Sequence, residues 1–315
     1  MKILLTGATG FLGQALLKVL HEQDEYSVIA AVRSPADAIP LQVQQFVTGD
    51  LRDLTDWSAA LTSVDIVVHA AARAHIMNDT ATDPLEEFRQ VNAKSTLLLA
   101  RQASEAGVKR FVYISSIKVN GESTQRKPPF SPDDTFITSD PYGISKREAE
   151  EGLFALSKAT GMEVVIIRPP LVYGPGVKAN FLSLMKLSKS GLPLPFGAIH
   201  NQRSFVAIDN LVDFIVTCIA HPKAANEVFL ISDGHDVSTT ELLRKMANAF
   251  GKKILLLPVP TAWMSWVLKL LGKENIAERL FGSLRVDSSK ARKLLGWKPI
   301  VTMDEQLKET ARILK

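Results

Sequence analysis

The chain has 315 residues, 46% of them hydrophobic and 22% charged, with a formal net charge of +4. That length suits two domains, or one large domain carrying a smaller one, with apolar residues enough for a sizeable core. Lys and Arg form no long blocks, which argues against a nucleic-acid binder, and the single cysteine, Cys218, permits no internal disulfide.

Strands and helices alternate from the start. Ile3 to Thr6, Ser27 to Val32, Gln44 to Val47, Asp65 to His69, Arg110 to Ser115 and Glu163 to Ile167 are short apolar runs that read as strands. Helical patterns separate them: Phe11 to His21, Leu54 to Leu61, Leu85 to Ala106 and Tyr142 to Thr160. Strands without apolar–polar alternation are buried on both faces, which predicts a doubly wound α/β fold with a parallel sheet. After Arg168 the pattern loosens, with prolines at Pro169, Pro170, Pro175, Pro193 and Pro195. Ser204 to Ile208, Leu211 to Ile219 and Val228 to Ile231 then read as a return to the sheet, and the rest, from about Ser238, as mostly helical. The expected division is residues 1–168 plus about 204–232 for a cofactor domain. About 169–203 plus 233–315 would form a smaller, mostly helical substrate domain.

Cys218 lies in an apolar helical run and reads as core filling. The chain opens on a strand with no charged leader, and no run reaches the roughly 18 apolar residues of a membrane span. A cytoplasmic protein with no integral membrane association is expected. The tryptophan-bearing run Pro260 to Leu271 reads as a helix packed on the substrate domain; a helix lying on a membrane surface is the other reading. The packed helix is preferred because Lys269 alone supplies positive charge within it.

Thr6-Gly-Ala-Thr-Gly-Phe-Leu-Gly13 follows a strand and opens a helix. Gly7 permits a tight turn, Gly10 lets backbone approach a pyrophosphate, and Gly13 lets the helix pack closely on the strand. Thr9, Phe11 and Leu12 lie within the same turn, and the helix N-terminus offers free N–H groups to the phosphates. The end of the second strand carries Arg33 where an acidic side chain would hold the ribose 2′-hydroxyl of NAD. Arg33 favours NADP(H); read as a solvent-facing strand-end arginine it leaves NAD(H) open. Asp50 and Leu51 are placed to meet the adenine, and Ala70, Ala71 and Ala72 are small where backbone must approach a cofactor. No metal is called for.

Tyr142 and Lys146 are four residues apart at a helix start and share a face. A phenol is a poor base at neutral pH, and a nearby ammonium favours its phenolate. Tyr142 can then carry the substrate proton while a nicotinamide exchanges hydride. Ser116, at the C-terminal end of a strand, can hydrogen-bond the same substrate oxygen. Asn92 is either a group that orients Lys146 through a water or a helix-surface amide.

These motifs, in order, resemble the extended short-chain dehydrogenase/reductases of the NAD-dependent epimerase/dehydratase type, which act on nucleotide sugars. The resemblance covers nearly the whole chain. It includes the glycine turn, Gly49-Asp-Leu51, His69-Ala-Ala-Ala72, Ser115-Ser116, Tyr142-x-x-x-Lys146, Arg168-Pro-Pro-Leu-Val-Tyr173-Gly-Pro175 and Leu295-Gly-Trp297-Lys-Pro299. It implies Ser116, Tyr142 and Lys146 as the catalytic trio and places Asn92 and Pro169 beside the cofactor. On the substrate side it implies Asn180 and Arg203 at the diphosphate, Phe196 at the uracil, and Lys118 and His75 towards the sugar. The family's late Arg-x-Gly-Asp is absent, so Arg279 or Arg285 would supply a second phosphate contact. Val119-Asn120-Gly121 stands where members commonly read Val-Tyr-Gly.

Local detail is similar to a bacterial subgroup of surface-polysaccharide (lipopolysaccharide) pathways. Its members are UDP-glucose 4-epimerase-like proteins or 4-reductases of UDP-4-keto-6-deoxy-N-acetylhexosamines. The expectation from Arg33 is a 4-reductase consuming NADPH; the alternative is a UDP-glucose or UDP-N-acetylglucosamine 4-epimerase with tightly held NAD. A dehydratase would need Asp-Glu where Ile117-Lys118 stand, and a non-catalytic regulator would not need the retained trio. The resemblance also implies a homodimer through the two long helices.

Overall fold

The computed structural model describes residues 1–51, 54–73, 83–134, 138–270, 272 and 274–314. In chain order the elements of the first half are β1 (Lys2–Thr6), α1 (Phe11–His21), β2 (Ser27–Val32), β3 (Gln44–Val47), α2 (Ser58–Leu61), β4 (Ile66–His69), α3 (Pro84–Arg89), a π-helical turn (Gln90–Lys94), α4 (Ser95–Glu105), β5 (Arg110–Ile114) and α5 (Pro141–Thr160). The second half follows as β6 (Glu163–Arg168), β7 (Leu171–Tyr173), α6 (Ala179–Ser190), β8 (Phe205–Ala207), α7 (Ile208–Ala220), β9 (Glu227–Leu230), α8 (Thr239–Ala249), α9 (Thr261–Leu270), α10 (Glu274–Phe281), α11 (Ser289–Leu295) and α12 (Met303–Ile313).

Seven parallel strands form the sheet in the order β3-β2-β1-β4-β5-β6-β9. Alternate residues of each strand feed opposite layers, which explains the lack of polar alternation. Ile3, Leu5, Val68, Val112 and Val165 pack with Leu16 and Leu20 of α1 and with Leu211, Phe214, Ile215 and Cys218 of α7. Leu4, Val67, Phe111, Tyr113 and Val164 pack with Leu61 of α2, Leu99 and Ala103 of α4, and Ala149 and Leu153 of α5. The chain order reverses between β1 and β4. That opens the crevice at the strand C-termini where ligands bind in doubly wound sheets.

Three expectations change. The helix expected from Leu54 forms only from Ser58 to Leu61. The long helix after β4 is interrupted by the π turn Gln90–Lys94. The run from Ser204 does not rejoin the main sheet: β8 pairs in parallel with β7 in a separate two-stranded sheet. Pro169 and Pro170 explain this, because neither has an N–H for a ladder, so β6 ends and β7 begins a new sheet. The chain regains the main sheet one strand later, at β9. A further core joins Tyr173, Phe181 and Met185 to Leu243 and Met246 of α8 and Leu307 of α12.

Candidate active site

The turn between β1 and α1 leaves room for nothing but glycine at two of its positions. A Cβ on Gly7, which sits at φ +71°, would lie 2.7 Å from the Ala71 nitrogen. One on Gly13 would lie 1.9 Å from the Gly7 carbonyl oxygen. Gly10 caps α1 without a side-chain acceptor, so no side chain meets the N–H groups of its first turn. A tight glycine cradle at a helix N-terminus fits a dinucleotide pyrophosphate. Of its neighbours, Thr9 is exposed, Leu12 is half-buried against the sheet core, and Phe11 bridges that core and the α8–α12 core.

A buried hydrogen-bond chain that sequence reasoning missed runs across the crevice behind this turn. Thr96 donates to the Asn92 carbonyl at 2.8 Å. Its oxygen, 2.9 Å from His69 Nε2, must therefore accept from that nitrogen. Nδ1 is left as the acceptor for the Thr6 hydroxyl at 2.8 Å, and Thr6 Oγ1 accepts in turn from the Ala71 N–H at 3.2 Å. His69 is held neutral: burial, and secondarily the charge of Lys146, push its pKa down to about 3. The only signal in the sequence was a histidine inside an otherwise apolar strand. The chain fixes the backbone at Ala70 and Ala71, where the cofactor reading places small residues.

Asn92 is wholly buried and not a surface amide. Its Oδ1 accepts from the Arg73 N–H at 2.9 Å, and its Nδ2 donates to the Arg73 carbonyl and to Ser145 Oγ, both at 3.1 Å. It clamps the segment after β4 to the start of α5. The extra residue of the π turn is the kind of local bulge that re-aims side chains at functional sites.

Asp140 caps α5 by accepting from the Gly143 N–H at 2.9 Å, and Pro141 sits in the first turn. A Cβ on Gly143 would lie 2.6 Å from the Lys118 carbonyl, so this glycine lets α5 close on the segment after β5. That closure brings the Tyr142 phenol beside the Ser116 hydroxyl. Burial pushes the Tyr142 phenol up to about 12; the Ser116 contact opposes this and the Asp140 charge adds to it. Lys146, one turn on, is fully buried, donates to the Ile114 carbonyl at 2.9 Å and lies 4.5 Å from the Tyr113 ring centre. Burial lowers its pKa to about 7, against the pull of Glu150.

Glu150, a further turn along, is the buried anchor of this helix face. It accepts from Ser115 Oγ and pairs with Arg168 through Nε at 3.0 Å and Nη2 at 2.5 Å. Arg168 also donates to Asn120 Oδ1 at 3.0 Å, and Asn120 donates to the Ser131 carbonyl at 2.8 Å. The unusual Asn120 therefore closes a polar network under the site. Pro169 offers its carbonyl to the Ile117 N–H at 3.0 Å.

The other expected residues divide. Arg33 lies 3.9 Å from Asp50, both largely exposed, while Leu51 packs on the core. The Lys118 ammonium is paired with Glu122 at 2.7 Å and Asp140 at 3.2 Å. Asn180 is exposed in the first turn of α6, and Phe196 is half-buried against the α8–α12 core. Arg203 and Arg279 are brought together, Arg203 donating to the Arg279 carbonyl at 2.8 Å, and burial lowers the Arg203 pKa. Arg285 turns elsewhere and donates to the Lys127 carbonyl at 2.7 Å. His75 lies outside the described residues.

Comparison with known proteins agrees with this geometry. Along 98% of its length the chain is 53% identical to a UDP-glucose 4-epimerase of Vibrio cholerae, covering 94% of that protein. Its fold matches the crystal structure of a UDP-N-acetylglucosamine 4-epimerase from Bacillus cereus with a TM-score of 0.81 at 22% identity, over the whole of both chains. A UDP-glucuronic acid 4-epimerase from Bacillus cereus, solved in complex with NAD, superposes with a TM-score of 0.78 at 24% identity, again over the whole of both chains. Residues 3–232 match the NAD dependent epimerase/dehydratase family, and to that family of extended short-chain dehydrogenase/reductase enzymes the chain belongs.

Proposed function

We propose that the chain is a 4-epimerase of a UDP-hexose that works with retained NAD. The observation that carries this reading is the 53% identity to the Vibrio cholerae UDP-glucose 4-epimerase, sustained over 98% of the chain. It displaces the NADPH-dependent 4-reductase expected from Arg33. The Arg33–Asp50 arrangement supports the change, because a carboxylate 3.9 Å from the guanidinium offsets the charge a 2′-phosphate would seek.

When bound, NAD supplies reversible hydride exchange at carbon 4 of the sugar. Gly7, Gly10 and Gly13 with the α1 N-terminus hold its pyrophosphate, and Ala70 to Ala72 let backbone lie against it. Tyr142 takes the proton from the 4-hydroxyl and returns it when the sugar is reduced on its other face. Ser116 holds the same oxygen. Lys146, on the Tyr142 face of α5, supplies positive charge that a phenol pushed up to about 12 needs before it can act as a base. Asn92 and Pro169 brace the cofactor side. On the substrate side Arg203 meets the diphosphate with Arg279 as its partner, since Arg285 is committed to Lys127. Asn180 joins them from α6, and the segment carrying Phe196 receives the base.

The test is the nucleotide content and turnover of the purified protein. The expected result is NAD that survives dialysis, and interconversion of UDP-glucose with UDP-galactose, or of their N-acetylated counterparts, without net nucleotide consumption. Stoichiometric NADPH oxidation with a UDP-4-ketosugar would establish the reductase instead.

A further inference from the structure

Helix α9 turns its most apolar face to solvent. Trp263 is 72% exposed, Trp266 62%, Val267 45% and Leu270 67%, and their spacing of three, four and seven residues puts all four on one stripe. No residue of α9 is buried; Met264, Ser265 and Leu268 on its other side are half-covered. The run leading into the helix adds Leu255, 59% exposed, and Leu257, 44% exposed. Scattered exposed leucines need no explanation, but two tryptophans aligned with a valine and a leucine form a patch that calls for a partner.

We infer that this stripe seats the protein on the surface of an anionic lipid bilayer. The chemistry of the side chains fits the boundary between headgroups and acyl chains, where an indole keeps its ring in hydrocarbon and its N–H among polar groups. The charge fits as well. Residues 252–272 carry three basic side chains, Lys252, Lys253 and Lys269, and no acidic one; this surplus of three lies within a chain of net charge +4. A reading confined to the helix, which contains only Lys269, misses that flanking charge. The dimensions favour a membrane over a second copy of the chain: the stripe offers on the order of 500 Å² at about 200 Å² per aromatic, short of the roughly 800 Å² per partner of a stable dimer. A ten-residue helix seats in the interface plane and does not cross it, and among the described residues no helix is long and apolar enough to span a bilayer.

Seating on this stripe also sets an orientation. Leu194 donates to the Leu255 carbonyl at 2.9 Å, Leu257 to the Leu194 carbonyl at 2.8 Å, and Gly197 to the Leu257 carbonyl at 2.8 Å. The strip that receives the nucleotide base in the proposed function is thus laced to the membrane-facing run.

Co-sedimentation of the full-length protein with phosphatidylcholine vesicles, and with vesicles containing phosphatidylglycerol, tests the inference. The expected result is binding to the phosphatidylglycerol vesicles, with tryptophan emission shifted to shorter wavelength, weakening as salt is raised. The double variant Trp263→Ser/Trp266→Ser should lose more than about tenfold in vesicle affinity while keeping its circular dichroism and its turnover in solution. Lys253→Glu should weaken binding without touching the apolar stripe. Vesicle binding that the double variant retains would overturn the inference, as would failure to pellet with either vesicle. A dilution-dependent dimer abolished by the same double variant would assign the stripe to a second copy. Turnover in solution is read separately, so loss of vesicle binding leaves the epimerase reading standing.

Discussion

Burial acts on Lys146 and Tyr142 in opposite directions, bringing the ammonium down to about 7 and the phenol up to about 12. Both shifts oppose the charged form of the group. For Lys146 the consequence reaches stability. Between about pH 7 and its ordinary 10.5, the unfolded chain holds this proton and the folded chain does not, so unfolding becomes harder as pH rises through that window. At neutral pH the folded state bears a cost on the order of 4 kcal/mol for hiding the ammonium. Lys146→Met is therefore expected to raise the melting temperature of the nucleotide-free protein at pH 7, to flatten its rise towards pH 10, and to abolish turnover. A melting series in pH on both proteins checks this; a variant that melts lower at every pH would contradict it. Tyr142→Phe is expected to reduce kcat by about 10²–10⁴-fold, the usual share of a positioned acid–base group, while bound nucleotide is retained. Dialysed protein assayed for both quantities separates a chemical role from a binding one.

The elements around the site carry tighter constraints than their sequences announce. Gly13→Ala drives a methyl into the Gly7 carbonyl, because the ideal Cβ lies 1.9 Å from it. It is expected to cost at least about 1–3 kcal/mol as overpacking and to strip the protein of nucleotide, read by urea denaturation and by absorbance of the dialysed protein. This consequence was legible, since glycine spacing between a strand and a helix admits few other readings. The strand runs and the Tyr142–Lys146 face were legible for the same reason, that period and spacing map directly onto backbone geometry. The π turn was not. It shows only in the backbone, where the Ser95 N–H reaches the Gln90 carbonyl five residues back. Nor was Glu150: in sequence it is one acidic residue among several on a helix, and only the fold closes Ser115, Arg168 and Asn120 around it. Glu150→Ala leaves Arg168 buried without its carboxylate and is expected to cost about 3–5 kcal/mol. Glu150→Gln keeps an acceptor and should cost less, a difference that equilibrium denaturation of the two variants resolves.

Across the whole molecule, what escaped the sequence is what depends on distant segments meeting. Arg203 finds Arg279 across 76 positions, and nothing local to either arginine predicts it. Arg285, the other candidate by sequence, is turned to Lys127 where Phe130 pairs with the segment that carries it. The dimer expected through the runs Leu85 to Ala106 and Tyr142 to Thr160 is a proposal of the same scale. Light scattering at micromolar concentration should return twice the mass of 34.5 kDa, and a monomer would remove it. The path of the chain bears on how such a protein is divided. After β6 it leaves the main sheet for β7, α6 and β8, returns through α7 and β9, and leaves again at α8. A cut at Arg168 would strip the sheet of its edge strand β9 and of the α7 layer over β1 and β5. No uninterrupted stretch holds either half complete, so neither half is an excisable module. Recombination between relatives must therefore exchange scattered segments, with the sheet kept whole.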